Sequence, residues 1–164
     1  MGQSIIQYVV KHFLEEHGKL GNRQPVCYLP AHATEMDPHC QHVLLVLPHP
    51  PPHIFDNVCS FIPEDIINLS AQTPSTRARI ATCEIKRFAY CGACGKDCEI
   101  FATSQHTAGS PCVDHSHFGK KRGMAGPQNK VLWSWIATVR CLRHAIVVHE
   151  NVELTHLCAV AHTI

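Results

Sequence analysis

An α/β fold built on a parallel βαβ unit is what this sequence predicts, and three features of its C-terminal third predict it. Residues 102–109 read as a strand that runs into a loop over 110–126. Val131, Leu132, Trp135, Ile136, Val139 and Leu142 then recur at helical spacing and mark one face of a helix of roughly four turns. Residues 145–149 form a short, β-branched apolar run of strand type. Strand, helix and strand in that order close a crossover, which makes the two strands parallel and puts any site at their C-terminal ends.

The rest of the chain gives fewer signals. Ile5, Ile6, Val9, Val10, Phe13 and Leu14 fall on one helical face, with Ser4 and Gln7 as a capping box and Gly18 as the stop. Residues 43–47 read as a short buried strand ended by Pro48, and Pro63 opens a short helix over 63–69. Pro48, Pro50, Pro51 and Pro52 exclude helix and central strand from 48–53, so that run reads as a linker or stiff loop. The expected organisation is an N-terminal part, 1–54, and a catalytic part, 55–164.

A charged share of 16% and a net charge of +1 exclude a disordered charged tail, and no apolar run is long enough to cross a membrane. The unusual counts are 10 Cys and 14 His. No secretory leader is legible at the start of the sequence, so the thiols are expected to be reduced and the protein intracellular, the nucleus ahead of the cytoplasm.

Charge is unevenly placed. Residues 115–149 contain no Asp or Glu but do contain Lys120, Lys121, Arg122, Lys130, Arg140 and Arg143. Those six cations leave the remainder of the chain at −5 (+1 less +6). A polyanion could be gripped beside the loop; the plainer reading is a solvated loop and helix surface.

Two short clusters fall at the two expected strand ends. Pro111-Cys112 leads into Ser116, Gly119, Arg122 and Gly123, and Glu150-Asn151-Val152 follows the second strand. A cysteine beside cations can have its thiolate stabilised, and a glutamate opposite can hold a proton on a substrate. The pair, in this order and around one helix, resembles the cytosine-C5 methyltransferases. The resemblance covers about residues 90–152 and implies a truncated Rossmann-like methyltransferase fold with an incomplete sheet.

It further implies that a cytosine is flipped out of the stack, that Cys112 adds to its C6, and that protonated Glu150 supports N3 while Asn151 holds the strand end. Ser116, Lys120, Lys121 and Arg122 would meet the nucleic acid, and Pro111 and Val152 the methyl donor, S-adenosylmethionine. DNA is the expected partner, RNA the variant within the family, and a second polypeptide could complete the domain. Departures from the family are Val113 where Gln is usual, His115 in place of an aromatic residue, and no glycine-rich cofactor loop after a first strand.

Cys91-x-x-Cys94-x-x-x-Cys98, with His106 and Cys83 nearby in sequence, presents a set of zinc ligands. Free cysteines are the favoured reading there, since a second regularly spaced pair is missing. A zinc-binding or nucleic-acid-binding module and an inactive methyltransferase relic are therefore the alternatives to an enzyme. Trp133 and Trp135 read as packing residues, and Cys141 and Cys158 as small hydrophobes.

Overall fold

The computed structural model describes residues 29–69, 73–111, 114, 122–123 and 126–150. The expected N-terminal helix over 4–18 lies outside them.

The first half of the described chain is organised by helix caps and very short strands. β1 (Ala33–Thr34) is followed by α1 (Pro38–Leu45). The Asp37 carboxylate accepts from the N–H of His39 at 2.8 Å and of Cys40 at 3.4 Å, with Pro38 at the first helical position. This corrects the strand expected at 43–47. An Asp-Pro cap satisfies orphan donors and presets φ, and it carries the helix through the apolar run. Only Leu44 of that run is buried, and Val43, Leu45 and Val46 are exposed.

β2 (Ile54–Phe55) pairs parallel with β1 and leads through a 3₁₀ turn, Val58–Phe61, into α2 (Glu64–Ile67), the short helix expected after Pro63. α3 (Pro74–Thr82) was not legible from its weak periodicity; Thr73 caps it by accepting from the Thr76 N–H. β3 (Phe88–Cys91) and β4 (Lys96–Glu99) form an antiparallel hairpin that turns at Gly95, φ 65°. The first sheet thus has the order β1-β2-β3-β4.

The second half is the expected crossover. β5 (Gln105–Gly109), α4 (Asn129–Leu142) and β6 (Ile146–Glu150) make a parallel two-stranded sheet with its connecting helix. The fold is therefore mixed α/β with parallel pairing. α4 is more deeply set than one apolar face implies, because Leu132 through Val139 are all buried. Its core partners are Ile62, Ile66, Ile80 and Ala81 on one side and Ala108 of β5 on another. The buried hydroxyls of the helix are bonded, as burial demands, while the indole N–H groups of Trp133 and Trp135 are buried without a partner among the described residues. Thr138 donates to the Ser134 carbonyl at 2.9 Å, and the Ser134 hydroxyl reaches Cys59 Sγ at 3.6 Å.

Two of the six cations act in this packing. Lys130 Nζ donates to the Ile67 carbonyl at the end of α2 at 2.8 Å. The Arg140 guanidinium donates to the Thr82 and Cys83 carbonyls at 2.8 Å, completing the C-terminus of α3. Both satisfy orphan carbonyls at a helix's negative end, so neither belongs to a free basic surface.

A ring stack joins α4 to the parallel sheet. His106 lies 4.5 Å from His144 and 6.4 Å from Trp135, all three buried or half-buried. Burial first, and then the nearby His144 and His32 rings, hold His106 down to a pKa of about 4. An unfolded imidazole takes its proton near pH 6.5, so the unfolded chain binds the proton first. The contribution of His106 is intact above about pH 6.5 and is lost as pH falls from there toward 4, by about 2 kcal/mol at pH 5. His106→Phe, which keeps a stacked ring, should narrow the gap in Tm between pH 7.5 and pH 5 by roughly 3–6 °C. Thermal denaturation followed by circular dichroism checks this, and an unchanged gap would show the wrong group has been named.

Candidate functional site

The parallel register fixes the centre of the site. Gln105 lies opposite Ile146 and each following pair keeps step, so that Gly109 is opposite Glu150 at the C-terminal ends of the two strands. A Cβ on Gly109 would stand 3.3 Å from Glu150 Oε2, so the carboxylate leans across the end of β5 where glycine leaves room. Ser110 and Pro111 follow at once, and Glu150 thus faces the start of the loop that bears Cys112. Cys112 itself, Val113, Ser116, Lys120, Lys121, Asn151, Val152 and Cys158 lie outside the described residues.

That loop is fixed at both ends. At its start, the Ser110 hydroxyl bonds His149 Nε2 at 3.1 Å, and the His149 ring stacks on Trp135 with centroids 4.4 Å apart. Burial lowers the His149 pKa, with the Glu150 charge opposing it, and the ring at neutral pH is an uncharged wall. Farther along, Asp114 is buried, and its carboxylate accepts from the Gln128 N–H at 2.9 Å, just ahead of α4. A negative group there is favoured by the helix's positive end. The Asp114 carbonyl accepts from the Gly123 N–H at 2.8 Å, and Asn129 Nδ2 donates to the Gly123 carbonyl at 2.7 Å.

Sequence reasoning passed over Asp114, because the N–H it accepts from lies 14 positions on, beyond the reach of a local capping signal. It also missed Ser110 and His149. Arg122 is exposed beside this anchored turn, as a phosphate-binding residue would need to be.

A cavity of about 880 Å³ opens at these strand ends, within the range of small-molecule sites. Gly109, Ser110, Pro111, Trp135, His149 and Glu150 line it, together with Ala31 to Met36, Asp56, Asn57 and Phe101. Trp135 therefore both packs, as expected, and lines the cavity. Trp133 is buried as expected.

Cys91, Cys94 and Cys98 do come together, on the β3–β4 hairpin, but with His53 as the fourth member. The four ligand atoms lie within 4.8 Å of one another, so this group could hold a metal ion. His106 and Cys83 are elsewhere, one in the ring stack and the other at the C-terminus of α3, where its carbonyl accepts from Cys141 Sγ at 3.5 Å. Cys141 is thus half-exposed and hydrogen-bonded, and not simply a small hydrophobe. Burial disfavours the Cys91 thiolate, but the backbone N–H groups of Ile54 and Cys94, with the His53 and Cys94 side chains, bring its pKa down to about 7. Contact with Cys91 and Cys98 pushes Cys94 up to about 11.

Among the described glycines, Gly126 has the least room for a side chain. A Cβ there would run into the Asp114 carboxylate, which could escape only by giving up the Gln128 N–H. Gly126→Ala should cost about 1–2 kcal/mol, the size of a lost helix cap, measured by urea unfolding. Asp114→Ala in the same background should cost little more, because the bond is already broken.

Residues 101–156 match the family model described as C-5 cytosine-specific DNA methylase. Neither the curated proteins nor the solved structures give a match to the chain. The matched stretch contains β5, the anchored loop, α4 and β6, about a third of the sequence. The match over that stretch is consistent with a partial, divergent member of that family.

Proposed function

We propose that this chain carries the cytosine-handling part of a DNA (cytosine-5) methyltransferase site, on a partial Rossmann-like fold. The observation that supports it is the pairing of Gly109 with Glu150 at adjacent parallel strand ends, inside the family-matched stretch. Cys112 follows Gly109 by three positions in sequence, and the Glu150 carboxyl stands at the end of β5, which supports pairing the two. Cys112 attacks C6 of the flipped base, the C5–C6 double bond opens, and C5 gains nucleophilic character. Glu150 shares its proton with N3 and so accommodates the electrons that move into the ring. Asn151 holds the strand end. Lys120, Lys121 and Arg122, with Ser116, meet the phosphates of the DNA strand. A nuclear location goes with this reading.

S-adenosylmethionine would supply an electrophilic methyl group to C5. Pro111 lines the cavity and would touch the donor, together with Val152, two positions after Glu150. The described residues do not otherwise fit it. The short turns from strand to helix, 35–37 after β1 and 56–63 across the 3₁₀ turn after β2, hold no glycine, and a glycine-rich turn is what lets a backbone approach such a cofactor. The rest of the cradle comes from residues outside those described or from a second polypeptide.

Addition of a thiolate to C6 can be followed without the donor. The C5 carbanion takes a proton from water, loses the original hydrogen as the adduct collapses, and the thiolate leaves unchanged. DNA labelled with tritium at cytosine C5 should therefore release tritium to water in the presence of the chain. Cys112→Ser should abolish release, and Glu150→Gln should slow it by about 10²–10⁴-fold. No release from the wild-type chain, or release that survives Cys112→Ser, overturns the assignment; labelled RNA run in parallel distinguishes the two polymers.

A further inference from the structure

We propose that His53, Cys91, Cys94 and Cys98 bind one zinc ion as a closed structural site, which clips the proline-rich segment before β2 onto the β3–β4 hairpin. The site is separate from the methyltransferase reading and does not depend on it.

The geometry is that of a slightly expanded ligand tetrahedron. Zinc–sulfur bonds of about 2.3 Å and zinc–nitrogen bonds of about 2.0–2.1 Å put neighbouring ligand atoms roughly 3.5–3.8 Å apart. His53 Nδ1 stands 3.5 Å from Cys94 Sγ and 3.9 Å from Cys91 Sγ, and all four atoms lie within 4.8 Å. Closing onto an ion therefore requires no pair to shorten by more than about 1 Å. Three soft sulfurs and one imidazole select zinc over magnesium or calcium. With four protein ligands no open position remains, which marks a structural site.

The surroundings hold these side chains in place. The Cys91-Gly92-Ala93-Cys94-Gly95 turn is closed by the Gly95 N–H on the Cys91 carbonyl at 2.9 Å, with Gly95 in the left-handed region. The Ile54 N–H points at Cys91 Sγ, 3.3 Å away, and such donors stabilise a metal thiolate. Phe55 stacks against the His53 ring and Phe101 meets it edge-on, which restricts the ring's rotation. The prolines that exclude regular structure from 48–52 restrict the backbone that delivers it.

There is also mechanical need for a clip. β1 and β2 pair over two residues each, and β2 meets β3 at a single registered pair, Phe55 with Cys91. Ladders that short are marginal without other support. Ala31 to Met36, which line the cavity, hang on them.

Metal analysis of the purified full chain should give one zinc per molecule. Cobalt should replace it with thiolate charge-transfer bands and the intense visible bands of tetrahedral coordination. His53→Ala should weaken binding by more than about 100-fold, since changes even outside the ligand shell cost 10–100-fold. His53→Cys should restore a tetrahedral four-sulfur site, which separates ligation from misfolding. His106→Ala, Cys83→Ser and Cys112→Ser should leave the metal in place, the last keeping this result independent of the tritium-release test. A metal-free chain, an octahedral cobalt spectrum, or affinity indifferent to His53 would each overturn the proposal.

Discussion

The register between β5 and β6 is the constraint from which the site follows. Side chains alternate along a strand, so a slip of one position would put Glu150 on the opposite face and replace Gly109 as its neighbour. Two strands alone would not hold that register. α4 does so by packing along the sheet, with Ala108 in its core contact and Trp135 between His106 and His149. The same helix receives the far end of the loop through Asp114. One buried helix thus sets the strand pairing and both ends of the loop between them.

The need to support α4 also explains where its positive charges went. Lys130 and Arg140 sit at the two ends of the helix and donate to carbonyls that close α2 and α3. A cation serves better there than a neutral donor, because those carbonyls carry the negative ends of helix dipoles. Arg122 and Arg143 remain exposed among the described cations of 115–149. Among the described residues, the free positive charge is therefore less than the sequence count of six suggests.

What could be read in the sequence divides along the range of the forces involved. The βαβ unit was legible because it is written in local periodicity, with a helical stripe between two β-branched runs. The depth of α4 was not, since Trp133, Ser134, Ala137 and Thr138 are buried by elements far away in sequence. α1 was misread because a run such as 43–47 has no period of its own, and the cap at Asp37 decides its state. Glu150 could be placed at the end of β5 from topology alone. His53 could not be joined to Cys91 in that way: the two are separated by 38 positions and α2 and α3, and the prolines beside His53 draw attention to the backbone and away from the ring. The signal that could have found it is a histidine directly before a strand, in a chain with a CxxC turn and no second pair.

The lining of the cavity has two origins, and this bears on what each part can decide. Gly109, Ser110, Pro111, His149 and Glu150 lie inside the stretch that matches the methylase family, and strand pairing and helix packing hold them. Ala31 to Met36, Asp56 and Asn57 lie before that stretch and rest on two-residue strands beside the His53 cluster. Size, polarity and fit of whatever enters depend on both sets, and in the second Thr34, Glu35, Asp56 and Asn57 offer hydrogen-bonding groups and Met36 apolar surface. The residues of β5, α4 and β6 are held by a core too well packed to alter cheaply, whereas those on the two-residue ladders can change with less effect on that core.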